Sequence, residues 1–158
     1  MKKLFAAFAS IALFLGTSAV AAGTPDNIVK AQLDSKGIKY KIDKDGDFEI
    51  VYKTVGSRTQ VAWVRSTVNT YGSLKIREIW SPGYKSDSND FPVSIANKLL
   101  NKNYLATLGA WEAQGDMAVF VVKIPADASA DQLVDAVESA VDSADEVEKE
   151  LTGDKDEY

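Results

Sequence analysis

Between Ile38 and Trp80 apolar side chains recur at every second position, in four runs separated by short turn sequences. A period of two is the signature of a strand with one buried face. Ile38, Tyr40 and Ile42 alternate with Lys39, Lys41 and Asp43. Lys44-Asp45-Gly46-Asp47 then reads as a turn, because Asp-Gly supplies the positive φ angles of a tight hairpin. Phe48, Ile50 and Tyr52 continue on the return strand, and Gly56-Ser57 makes the next turn. A third strand is expected over residues 60–68, with Val61 and Trp63 facing one way and Ala62, Val64 and Val68 the other. Tyr71-Gly72-Ser73 leads into a fourth over residues 74–80. Four strands joined by short turns form an antiparallel meander.

Helical spacing brackets this meander. Thr24 as a cap and Pro25 in the first turn open a helix over residues 25–36, which Gly37 ends. Residues 81–90 read as a loop, since Pro82-Gly83 interrupts regular structure and the segment after Ser86 is polar. A helix is expected over residues 92–103, buried through Ile95, Ala96 and Leu99. Two strands follow, over residues 105–112 and 117–124, joined through Gln114-Gly115-Asp116. The second is apolar on both faces, as a central strand should be. Ser129 with Gln132 three residues on forms a capping box. Beyond it Leu133, Val137, Ala140, Ala144, Val147 and Leu151 make a narrow stripe on a long final helix. The expected fold is α+β: a four-strand meander plus a hairpin, packed with three helices in the order α-β-β-β-β-α-β-β-α. The chain divides into residues 1–22, a domain at 23–151, and an acidic disordered tail at 152–158.

Residues 1–22 read as an export signal. Lys2 and Lys3 precede an apolar run of about twelve residues, and Ala19-Val20-Ala21-Ala22 suits a signal peptidase cleft near Ala21 or Ala22. That run falls short of the roughly twenty residues that span a bilayer. The expectation is a periplasmic or secreted protein with no stable membrane insertion after cleavage.

Composition narrows the chemistry. The chain has no Cys and no His, which removes thiol nucleophiles, Ser-His-Asp triads, imidazole bases and ordinary zinc sites. Ser-x-x-Lys, a Walker loop and a dinucleotide glycine fingerprint are also missing. A non-enzymatic protein without cofactor or metal is expected, although a pair of carboxylates keeps a hydrolase open on composition. The net charge is −5, and from Asp127 onward twelve carboxylates face only Lys149 and Lys155. Nucleic acid is therefore not an expected partner. The acidic end is either a solvated face or a docking element for a basic partner.

Lys36-Gly37-Ile38 leading into Asp43-Lys44-Asp45-Gly46-Asp47-Phe48, the Asn97, Asn101 and Asn103 of the middle helix, and the long amphipathic last helix together resemble the bacterial YbjN domain family. That family is labelled a sensory transduction regulator and has the fold of type III secretion chaperones. The resemblance covers about residues 25–150. It implies a chaperone-like or regulatory module and makes a homodimer worth testing. It transfers no catalytic residue.

Two groups of residues are candidates for a site. Asp43-x-Asp45-Gly46-Asp47 has the look of a calcium loop, but its glycine comes at position four and position twelve is Thr54, so a hairpin turn is the better reading. Trp63, Trp80 and Trp111, with Tyr71 and Tyr84, either fill the core or form an open aromatic sheet face beside the 80–90 loop. Arg65, Lys75 and Arg77 would then supply a basic rim. Trp80, Tyr84, Arg65 and Arg77 are the expected partner-binding residues. The function expected is recognition of a polypeptide, or of a second copy, through a sheet or helix face. The alternative is a periplasmic carrier of a small apolar ligand.

Overall fold

The computed structural model describes residues 23–88, 90–153 and 155–158; the expected leader, residues 1–22, lies outside them. The elements are α1 (Asn27–Ser35), β1 (Lys41–Ile42), β2 (Phe48–Lys53), β3 (Thr59–Tyr71), β4 (Leu74–Lys85), α2 (Val93–Leu105), β5 (Ala110–Gln114), β6 (Met117–Pro125) and α3 (Ala130–Thr152). Six strands form one antiparallel sheet in the order β1-β2-β3-β4-β6-β5. Element type and order are those the periodicities predict. No helix among the described residues is long and apolar enough to cross a membrane.

Helix α3 begins where its capping box lies: Ser129 Oγ accepts from Gln132 N, and Gln132 Oε1 accepts from Ser129 N. Ala136, Ala140 and Ala144 are fully buried. Their small side chains let α3 lie close across β3, β4 and β6, which buries Phe48, Ile50, Ala62, Val64, Ile79, Phe120 and Val122 beneath it. Helix α1 packs beside α3 through Val29 and Leu33. Helix α2 flanks it on the other side, where Lys98 reaches Glu150 at 2.6 Å and Lys102 reaches Glu146 at 2.8 Å. All three helices therefore cover one face of the sheet.

Three local expectations are corrected. Asp26, not Thr24, caps α1, accepting from Ile28 N at 2.7 Å and Val29 N at 3.2 Å. The first strand is only two residues long and exposed, so Ile38 and Tyr40 pack on the core from a loop. Strand β4 continues through Pro82-Gly83 to Lys85, where a loop was expected. It does so by a register shift between Pro82 and Tyr84, the usual way a strand admits a residue without an N–H. Gly83 is required there for space: a Cβ would stand 2.5 Å from the Trp111 ring and 3.0 Å from Ala144 O. Residues 155–158 lie against the start of β3, with hydrogen bonds to Arg58, Thr59 and Glu148.

Candidate functional site

The face that the helices leave free carries a row of side chains spanning five strands. Register sets Glu49, Trp63, Trp80, Val121 and Ala110 directly opposite one another in turn. Beside it run Val51 opposite Val61, and Pro82, Val119 and Glu112. Trp63 and Trp80 are half-buried, against full burial for Ala62 and Val64 on the helix side. A groove of about 370 Å³ opens along this face, lined chiefly by Trp63, Arg65, Trp80, Pro82, Met117 and Tyr158.

Arg65 owes its position to a bulge. Between Val64 and Val68 strand β3 carries two more residues than β4 does opposite, which frees the Arg65 and Ser66 carbonyls from the ladder. Arg77 takes both: its Nη1 donates to Arg65 O at 2.6 Å and to Ser66 O at 3.3 Å. Its Nη2 donates to Asp26 Oδ2 at 2.7 Å. Asp47 holds the other side of the bulge, accepting from Ser66 N at 2.6 Å. Arg65 Nη1 lies 2.8 Å from Asp47 Oδ2, out of hydrogen-bond alignment. Held there, the Arg65 guanidinium carbon sits 4.2 Å from the centre of the Trp80 ring, within cation–π range. The indole Nε1 donates to Glu78 Oε2 at 3.0 Å.

The electrostatics follow from burial. Asp47 is nearly inaccessible, and burial pushes its carboxyl above the usual range, against the opposing pull of the Ser66 N–H and Arg65. Burial would also raise Asp26, but the Arg77 hydrogen bond and the Val29 and Ile28 N–H groups outweigh it and hold the carboxyl low. On the far side of Trp80, Lys123 lies between Glu112 at 2.7 Å and Glu78 at 3.8 Å. At the groove's other end burial pushes the Tyr158 hydroxyl up to about 12.

Of the four expected binding residues, the structure brings together Trp80 and Arg65. Arg77 lies apart from them: it is 2% exposed and points to the helix side, where it secures the bulge. Tyr84 lies apart as well. The shift after Pro82 turns it to the helix side opposite Ala118, where its ring lies 6.1 Å from Phe91 and packs on the core. Trp111 belongs to the core, edge-on to Phe120 at 5.4 Å. Tyr71 and Lys75 lie at the β3–β4 hairpin tip. The Asp43–Asp47 turn is a turn, with Asp43 Oδ1 accepting from Asp45 N and Asp47 N. Sequence reasoning missed that Asp47 is the counter-charge of Arg65, for the same Asp-Gly-Asp pattern describes any tight hairpin.

A second apolar surface lies on α2. Val93, Leu100, Tyr104 and Leu105 are exposed, and a shallow hollow of about 210 Å³ separates α2 from β5. No family model matches the chain, and no curated protein matches it.

Proposed function

We propose that this is an exported, non-enzymatic binding module that recognises polypeptides through the helix-free face of its sheet. The observation that carries the reading is the Trp63–Trp80 row with Arg65 stacked on it, left open because all three helices lie on the opposite side. Trp and Tyr give large contact area at low entropic cost, which suits polypeptide recognition. The nearby charges are already paired as Arg65–Asp47 and Lys123–Glu112, so an incoming chain meets apolar surface with a balanced rim. The element order supports the likeness to YbjN and secretion-chaperone domains, and we hold that likeness as part of the proposal.

The test is suppression of aggregation of a chemically unfolded polypeptide by the purified protein. Trp80→Ala is expected to lower the suppression several-fold with the thermal midpoint within about 2 °C of the parent, as for a substitution outside the core. A large fall in midpoint would make Trp80 a core residue, and full activity in the variant would remove the sheet face from the function.

Self-association is a second reading, favoured by α2. Val93, Leu100 and Tyr104 fall at i, i+7 and i+11 on one helix line and are exposed, Tyr104 by 90%. A helix-to-helix homodimer would cover them. The carrier reading has less support, because the apolar hollow beside α2 is smaller than the roughly 300–1,000 Å³ of ordinary ligand pockets.

A further inference from the structure

Residues 155–158 of the chain run into the aromatic groove. Past α3, Arg58 Nη1 donates to Lys155 O at 2.7 Å, and Thr59 N donates to both oxygens of Asp156, each at 3.2 Å. Thr59 Oγ1 lies 3.3 Å from Asp156 Oδ2 and 3.3 Å from Tyr158 O. Glu157 N donates to Glu148 Oε1 at 2.6 Å. The Tyr158 ring lines the groove with Trp63, Trp80 and Pro82, its hydroxyl 4.0 Å from Met117 Sδ.

These contacts read a sequence. The backbone N–H and hydroxyl of Thr59 take the Asp156 carboxylate, Arg58 adds positive charge beside it, and the groove takes the aromatic ring two positions on. Arg58 is itself fixed, with Nε 2.8 Å from Asp145 and Nη2 2.8 Å from the fully buried Glu148. The receiving side is thus rigid, while the tail it receives is held by a few bonds at the surface. Those bonds are offset by the cost of ordering the tail's backbone. Space remains as well: the 370 Å³ groove is what Tyr158 leaves unfilled.

We propose that this groove binds a polypeptide segment in which an aromatic residue follows acidic ones, and that the chain's own Asp156-Glu157-Tyr158 occupies the site until such a partner displaces it. The proposal rests on the sheet-face reading and gives it a substrate class. The tether makes the tail a strong competitor, since a short linker holds it at an effective concentration on the order of millimolar.

The experiment is a titration of the protein with the peptide Lys-Asp-Glu-Tyr, read by tryptophan emission, with Tyr-Glu-Asp-Lys as control. The peptide adds no tryptophan, and Trp111, buried in the core, gives a constant background. Tyr158→Ala is expected to bind Lys-Asp-Glu-Tyr at least tenfold more tightly than the unsubstituted protein does. Asp156→Asn, which loosens the tail but keeps its ring, should fall between them. Adding Trp63→Ala to Tyr158→Ala should weaken binding again, and the reversed peptide should bind none of these proteins. Equal affinity for the unsubstituted protein and Tyr158→Ala, binding to neither, or equal binding of the reversed peptide would overturn the proposal. If that happens while Trp80→Ala still impairs capture of unfolded polypeptide, the tail proposal falls alone and the sheet-face reading stands.

Discussion

Arg65 and Arg77 are both arginines of the same hairpin, yet they end on opposite faces and do different work. Side-chain parity explains part of this: Arg77 shares its face with Ile79 and Ser81, which are buried, whereas Trp80 points the other way. That separation was legible in the sequence, and grouping Arg77 with Trp80 overlooked it. The bulge that Arg77 serves was not legible, because nothing in Arg65-Ser66-Thr67 distinguishes it from regular strand. Arg77→Ala is expected to cost about 3 kcal/mol in urea unfolding, since it strands two carbonyls and the Asp26 carboxylate. Arg77→Lys should recover only part of that, because an ammonium cannot reproduce the fork. Asp26 gives a matching pH signature. Its carboxyl is held below the ordinary value in the fold, so its contribution is fully present above the unfolded value, about pH 4. The contribution is lost as pH falls through the lower folded value. The stability gap between the parent and Asp26→Asn should therefore be constant from about pH 5 upward and shrink in acid. A gap that widens in acid would contradict the assignment.

At the level of elements, the type and order of strands and helices were readable from periodicity, and the errors that bear on the site fell at two irregularities. The β3 bulge and the β4 shift each break the alternation that a period-two reading assumes. The second turned Tyr84 to the helix side and, with Pro82-Gly83 read as a breaker, cut β4 short in expectation. Gly83 is there because the Trp111 ring occupies the space a Cβ would take. Gly83→Ala is accordingly predicted to destabilise by about 1–3 kcal/mol through overpacking, measurable as a lower urea midpoint with unchanged slope. Pairing Gly83→Ala with Trp111→Leu should return part of that loss. A strand that needed glycine only for its backbone would show no such rescue.

Across the whole molecule, the layering decides what the protein offers to a partner. Three helices on one side make a closed core with β2, β3, β4, β5 and β6 and leave the aromatic row on the other. The sequence carried the aromatic residues and the helix count. It did not carry which tryptophans share the open face, since that depends on cross-strand register between residues 17 apart, nor that residues 155–158 return to that face. The most direct measurement is the affinity for a chemically unfolded polypeptide of two double variants beside the parent, with thermal midpoints recorded for each. Trp63→Ala/Trp80→Ala alters the sheet face, and Leu100→Ser/Tyr104→Ser alters the α2 surface. We predict a loss of tenfold or more for the first pair at a nearly unchanged midpoint, and parental affinity for the second. Parental affinity in the tryptophan pair, or a loss confined to the α2 pair, would contradict the account.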